Sequence, residues 1–503
     1  MNSSQAQSME HIRKGPIIAA LLLGAFVAFL NQTLMNIALP KIMDDLGIQP
    51  TTGQWLTTGF MLVNGVLIPV SAFLIARFTT RQLFISAMTM FSLGTLICAI
   101  SPNFGILMTG RVIQAAGAGI LMPLMTVVFL NIFPIEKRGS AMGMMGIAMI
   151  LAPAIGPTLS GYIVEHHSWR VLFYIILPVA IIATLIGVFF LKNVTSVTKP
   201  KFDFLSVVLS TIGFGGLLYG FSDAGTDGWG SATVIATLIV GAVGLILFVW
   251  RQLVSKIPML EFRIFKYNMF TLTTIINVII TMAMYAGMIL MPIFLQNIRG
   301  FTPLESGLMM LPGAILMGIM SPITGAVFDK IGARWLAVVG LIITVIMTFE
   351  FSRLTVETSY NHLIVIYTIR MFGMSMLMMP IQTAGLNQLP RNMNAHGTAM
   401  SNTLRTISGS IGTAILVTVM TNKTKSHVKD VLAGGTVNPA DKAAMAKLTA
   451  DSMVHGINYA FIVATWLSVA ALVLAFFIKR TKPHTELKNE LQGQKVSTAN
   501  AEG

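Results

Sequence analysis

Fourteen apolar runs punctuate this 503-residue chain, each close to the length that carries a helix across a lipid bilayer. They lie near 16–39, 51–75, 82–100, 104–132, 140–163, 171–191, 204–221, 231–250, 269–296, 306–328, 335–349, 361–387, 397–421 and 456–478. A hydrocarbon core about 30 Å thick takes roughly 20 residues of helix. Inside lipid the backbone must satisfy its own hydrogen bonds, so only helices and closed barrels span. Barrel strands are about ten residues long with alternating polarity, and these runs show neither property. The spacing therefore predicts an all-α membrane protein. Composition agrees, because only 10% of the residues are charged, against roughly 25% in soluble domains. A soluble enzyme, a secreted disulfide scaffold and a disordered chain are excluded. The lone Cys98 lies within an apolar run, which argues against redox chemistry and cysteine metal sites.

The formal charge is +14. So basic a balance raises nucleic acid as a partner, and the positions of the charges decide. Fourteen spans place both termini on one face. Of the 33 Lys and Arg residues, 21 fall on that face, nine fall on the other, and Arg111, Arg370 and Arg405 lie inside spans. Five of the nine belong to the long connection 422–455, and long connections count little toward orientation. The bias assigns both termini to the cytoplasm and removes nucleic acid. Residues 1–15 read as a cytoplasmic tail. The apolar run after them is too long for a signal-peptide core and reads as a retained helix. Residues 479–503 read as a second cytoplasmic tail, and 422–455 as an outer loop with a short surface helix.

The chain also repeats itself. Pro40 and Pro292 end apolar helices 252 residues apart, and Gly47 and Gly300 follow them 253 apart. Arg77 and Arg81 match Lys330 and Arg334 at an offset of 253, and Arg111 matches Arg370 at 259. Residues 139–142 (GSAM) match 397–400 (GTAM) at 258. A constant offset in unchanged order implies two homologous six-helix halves, 16–192 and 269–478, with two inserted helices and linkers at 193–268. The second copy begins after an even number of spans, so the repeats are parallel. Such halves can rock about a site near the midplane.

Three segments within these repeats carry a family resemblance. They are GRVIQAAGAGILMP (110–123), LAPAIGPTLSGYI (151–163) and GAVFDKIGARW (325–335). The chain resembles the major facilitator superfamily, and within it the fourteen-helix drug:proton antiporter branch of EmrB/QacA type, nearest the lincomycin-resistance-like multidrug exporters. The resemblance runs from residue 16 to about 480. It implies the major facilitator fold, two parallel six-helix repeats plus two extra helices, in a bacterial cell membrane. The first segment, with Arg111 and Gln114, resembles the fourth-helix motif. The second, with Gly156, Pro157 and Gly161, resembles the antiporter motif of the fifth helix. The third resembles the loop motif between the second and third helices of a half. Two positions depart from the pattern. The first-half loop, AFLIARFTTR (72–81), has Ala76 in place of Asp and Thr79 in place of Gly. Asn31 stands where many relatives carry an Asp linked to cation recognition or proton coupling.

An Arg at mid-bilayer costs about 2.5–3.5 kcal/mol on insertion scales, so Arg111, Arg370 and Arg405 should face the interior. Each can be a transport group or a strut between helices, and the pairing of Arg111 with Arg370 favours a shared structural element. Arg405 has no first-half counterpart and could meet an anionic group. No acid lies clearly at mid-bilayer. Glu165, Glu305 and the inner-end His396 are the candidates for a coupling proton, against the plainer reading of solvated interfacial groups. Asp329 can face the N-terminus of the next helix and accept from Arg334 as a cytoplasmic latch, with Gly332 permitting the tight turn. Gly139, Gly143, Gly146, Gly156, Pro157 and Gly161 offer a smooth, bent sliding surface on the fifth helix. The 35 Met residues and the polar groups Asn31, Gln32, Asn36, Gln54, Trp55, Asn64, Tyr285, Gln382 and Asn387 suit a cavity for varied amphipathic molecules. Each of these is otherwise a helix–helix hydrogen bond.

No ATP-binding loop, metalloprotease helix or nucleophile elbow is present, and no metal or cofactor is expected. The leading expectation is a non-enzymatic, monomeric secondary exporter of small amphipathic substrates driven by protons. An exporter of an endogenous lipid, signalling nucleotide or metabolite is the second, and a non-transporting scaffold or sensor the third. Reporters fused to the two ends should report the same face of the membrane. Reporters on opposite faces would sink the parallel-repeat reading.

Overall fold

The computed structural model describes residues 14–194, 197–198, 203–224, 228–256, 258–434 and 441–479. Most of both expected tails and the tip of the 422–455 connection lie outside the described residues, as do the side chains of Asn36, Gln54 and Pro157. Among the described residues the structure is helical and has no strand. The first half comprises α1 (Lys14–Leu46), α2 (Pro50–Arg77), α3 (Thr80–Ala99), α4 (Phe104–Ile132), α5 (Arg138–His166) and α6 (Arg170–Phe190). The inserted pair is α7 (Phe204–Ala224) and α8 (Ala232–Val254). The second half holds α9 (Asn268–Ile293), α10 (Pro303–Ile331), α11 (Ala333–Glu350), α12 (Tyr360–Ser375), α13 (Met378–Leu386), α14 (Asn394–Ala433) and α15 (Lys442–Ala475). With α12 and α13 forming one crossing, these make fourteen spans.

The break between α12 and α13 falls inside the run read as continuous over 361–387. Pro380 has no amide to donate to the Met376 carbonyl, so the helix tightens into turns at Met376 and Leu377 and then resumes. The 422–455 connection also differs from expectation. Helix α14 continues to Ala433 and α15 begins at Lys442. Forty residues make a helix of about 60 Å, twice the hydrocarbon thickness, so both helices extend well beyond it. Across this extension His427 stacks on His455 at 4.4 Å between ring centroids and bonds to Ser452 at 2.9 Å.

Each half has its own apolar core. Phe60, Phe84, Phe91, Phe129 and Trp169 anchor the first, and Phe294, Phe351 and Phe461 the second. The face that carries Arg77, Arg81, Lys137, Lys330 and Arg334 is called the basic face below, and the opposite one the distal face. On the distal face Asn103 and Ser359 cap α4 and α12, 256 residues apart, as the repeat requires. On the basic face the α10–α11 turn uses Gly332 at φ +83°. Its first-half counterpart instead builds a capping box from Thr79 and Gln82 at the start of α3. This accounts locally for Thr79 where a glycine was expected.

The halves meet along α5 against α10 and α13, and along α2 and α4 against α14. At the first seam the backbones nearly touch. A Cβ at Gly325 would collide with the Gly139 carbonyl, and one at Gly143 with the Ser321 carbonyl. The inserted pair bridges the second seam. Tyr219 of α7 stacks on Trp55 of α2 at 5.6 Å, and Trp229 donates to Thr418 of α14 at 2.7 Å. The two helices pack on each other through Gly213, Gly216, Gly241 and Gly244. At their basic-face end Asp203 forms an ion pair with Arg251 at 2.9 Å. Burial works against the Asp203 charge, but hydrogen bonds from Arg251 and Ser206 outweigh it and hold the carboxyl at about 2.

Because the first seam has no room for a side chain, Gly325→Val should wedge the basic face open. In a Cys98→Ser background, a membrane-impermeant thiol reagent should then label Ser140→Cys at least about tenfold faster, as expected for a shift of ~1.4 kcal/mol. Equal labelling rates with and without the valine would count against the close-packed seam.

Candidate functional site

Arg111 and Arg370 lie fully buried at matching places in the two halves. Arg111 donates to Asn31 Oδ1 at 2.6 Å, to Gln114 Oε1 at 3.0 Å and to the Leu56 carbonyl at 3.2 Å. Its guanidinium lies 4.2 Å from the centroid of the Phe60 ring. Gln114 in turn donates to Thr95 at 2.7 Å. One guanidinium thus draws together α1, α2 and α4, and Gln114 adds α3. Arg370 donates to Thr348 and to the Ala283 carbonyl, both at 3.0 Å, joining α9, α11 and α12. Thr95 and Thr348 are 253 residues apart, so the knots descend from one design. Arg111, hydrogen-bonded at three points and stacked on Phe60, offsets its desolvation with charge-assisted bonds, whereas Arg370 keeps Nη1 buried without a hydrogen-bond partner. Asn31, read from the sequence as a cavity group, is 2% exposed and serves this knot instead.

Beside the first-half knot is a small void of about 30 Å³, room for little more than a water, lined by Phe29, Gln32, Phe60, Asn64, Leu121 and Met122, with alanines completing the wall. Two of the sequence candidates, Gln32 and Asn64, come together here. Phe60 separates this space from Arg111. Phe29, Phe60 and Met122 were not singled out from the sequence, because apolar residues in a membrane helix carry no signal of which face meets a cavity.

Tyr285 and Arg405 lie across the α9–α14 contact in the second half. Tyr285 lies over Gly409, one turn along α14 from Arg405, where a Cβ would meet the phenol oxygen at 2.9 Å. Thr406, next to Arg405, approaches Gly65 of α2, which neighbours Asn64. The cavity and Arg405 therefore sit at a similar depth on the two sides of the seam.

The basic end of the first seam is locked by three consecutive residues at the start of α5. Asp329, at the end of α10, accepts from the Gly139 amide at 2.7 Å and from the Ser140 amide at 2.9 Å. Arg138 is buried and donates to Asn387 Oδ1 at 2.9 Å and to the Leu130 carbonyl at 2.7 Å. Asp329 is therefore a latch of a different kind from the one expected. It faces the N-terminus of a helix in the other half, where orphan amides and the helix dipole favour a carboxylate. Arg334 is exposed and lies over Trp335 rather than on Asp329. Asn387 belongs to this lock and not to the cavity. The Arg138–Asn387 pair went unrecognised in the sequence because Arg138 reads there as one more charge on the basic face.

The remaining candidates are scattered. Trp55 is held by the inserted pair. Gln382 is buried in α13. Glu305 is exposed in a capping box with Thr302, and Glu165 is exposed near the end of α5. The glycine row of α5 divides: Gly139, Gly143 and Gly146 pack on α10, Gly156 packs on Thr33 of α1, and a Cβ at Gly161 would meet open space. Among the described residues no group of three or more His, Cys, Asp and Glu could hold a metal ion.

Residues 21–413 match the family described as Major Facilitator Superfamily. The chain is 49% identical to the uncharacterized MFS-type transporter YhcA of Bacillus subtilis, over 97% of this chain and 98% of that one. It is 45% identical to the lincomycin resistance protein LmrB of Bacillus subtilis, over 95% and 98%. Among solved structures it is similar to the human organic anion transporter MFSD10 (TETRAN), with a TM-score of 0.61 over 92% of this chain and 99% of that one. At 12% identity that likeness concerns the fold alone.

Asp329→Asn keeps the shape of the latch and removes its charge. It should weaken closure by about 1–2 kcal/mol. Spin labels on Lys137→Cys and Lys330→Cys should then show a second, longer distance across the seam. A single unchanged distance would remove Asp329 from the lock.

Proposed function

This chain belongs to the Major Facilitator Superfamily, and we propose that it is a secondary active exporter of amphipathic small molecules, working by alternating access in exchange for protons. The supporting observation is the pairing of a lock at one end of the seam with a small void inside the first half, among α1, α2 and α4. The lock is made of hydrogen bonds between the halves, and the cavity is lined by aromatic rings, Met122 and two amides. Hydrogen bonds of this kind can be broken and remade at modest cost, so the halves can rock without disturbing their own cores. The excess of Lys and Arg on the basic face supports placing that face, and both termini, in the cytoplasm of a bacterial cell. In this arrangement the chain is closed to the cytoplasm. Family relatives named for resistance support a drug-like cargo. A chain with 35 Met residues offers adaptable apolar surface to cargo of varied shape.

For the proton, Glu165 is the better candidate of the two glutamates. Glu305 accepts from the Thr302 amide in its capping box, which ties it to the start of α10. Glu165 stands on α5 just beyond the open face at Gly161 and is free to change partners as the halves move. The protein acts as a single chain, since each half finds its counterpart in the same polypeptide. Inside-out vesicles carrying it should accumulate a neutral fluorescent amphiphile when acidified inside, and an uncoupler should abolish uptake. Uptake that survives full collapse of the gradient would reject proton exchange.

A further inference from the structure

The chain places three arginines inside its spans, and two are consumed by the knots already described. Arg405 is different. It lies 11 residues into α14, about 17 Å from the basic end of that helix. It is half-buried, and among the described residues it has no hydrogen-bond or ion-pair partner. Among the helices that pack on α14, α9, α2 and α4 contain no Asp or Glu, α7 carries Asp223 at its distal end and α15 carries Asp451 in the distal extension, and the acid of α14 itself is Asp430, seven turns away. An uncompensated guanidinium at that depth keeps an unneutralised positive potential in a low-dielectric space. Such a charge is retained at a cost unless something brings a countercharge to it.

We propose that Arg405, with the phenol of Tyr285, is the head-group subsite for an amphipathic anion: a cargo with an apolar body and one sulfonate, phosphate or carboxylate group. This rests on the exporter reading above and names its substrate class. When the halves part, the apolar body packs on the first-half wall beside Phe29, Phe60 and Met122, where the void in this closed arrangement is only about 30 Å³ and Gln32 and Asn64 supply only neutral hydrogen bonds. The anion crosses the seam to Arg405. Tyr285 lies one turn further along α14, over Gly409, and donates its hydroxyl to the same group. Cargo then contacts both halves at once, which couples its arrival to their relative motion. A cationic amphiphile finds no acid in this chamber and meets Arg405 as a like charge.

Three probes with one pyrenebutyl body test this: a sulfonate, a carboxamide and a trimethylammonium. Binding is measured by fluorescence on the full-length protein in zwitterionic nanodiscs, and the readout is the ratio of sulfonate to ammonium affinity. A ratio is insensitive to partial loss of folded protein. The wild type should favour the sulfonate by at least about tenfold. Arg405→Lys should keep the preference, Arg405→Gln should bring the ratio near one, and Arg405→Glu should invert it. A ratio indifferent to the charge at 405 overturns the proposal. Adding phosphatidylglycerol to the nanodiscs separates the sources of the anion. Competition with the sulfonate in wild type but not in Arg405→Gln assigns the subsite to a lipid head group, and no competition assigns it to soluble cargo. Transport of the carboxamide is measured in parallel. Its absence counts against the exporter reading alone, whereas the binding ratios judge the subsite.

Discussion

Asp329 belongs to one half of the molecule, and both of its carboxylate oxygens are bonded to backbone amides of the other half. The start of a helix concentrates unpaired amides and a partial positive charge. A carboxylate there is held by charge-assisted bonds, and the geometry is specific because two neighbouring amides each engage one oxygen. The contact depends on the glycines beneath it. Gly139 and Gly325 let two helix backbones approach so closely that a methyl group would not fit. Arg138, the residue before Gly139, adds the second bond across the seam through Asn387. Closure of the basic face thus rests on one helix end and on the absence of side chains around it.

The rest of the interior follows from lipid. A buried guanidinium must be saturated or lined up against something that can neutralise it. Arg111 takes the first course, Arg370 does so only in part, with Nη1 left unpartnered, and both tie helices of their half together. Halves with their own cores, joined by a small set of polar contacts, are what the proposed rocking motion requires. The two seams are not equivalent, however. Ala76 occupies the place that corresponds to Asp329, so the α2–α14 seam has no such carboxylate, and Asn394 and Thr398 at the start of α14 keep buried polar atoms without hydrogen-bond partners. The inserted pair spans that seam instead, through Tyr219 and Trp229.

Much of the architecture was legible from residues 16 to 478 alone. Span count, parallel repeats and the inserted pair follow from run lengths and from an offset near 253. The matching of Arg111 with Arg370 left transport group or shared strut open, and both side chains hydrogen-bond to neighbouring helices of their half. Other readings depended on which way a side chain points. Asn31 and Asn387 looked alike as polar residues in apolar helices, yet one serves a buried arginine and the other a seam. The fifth-helix glycines looked like one surface and prove to face three surroundings. The connection 422–455 looked like a loop because it is rich in Lys and Thr, whereas its flanks continue as helix.

By itself the sequence determined that this chain lives in lipid as two like bundles of helices. Hydrophobic length and repetition are one-dimensional properties, and the bilayer converts them directly into spans. The tertiary structure decided which charges are spent and which are left over. Whether an arginine has partners depends on residues as far as 80 positions away in the chain, as Asn31 is from Arg111, and only packing brings those together.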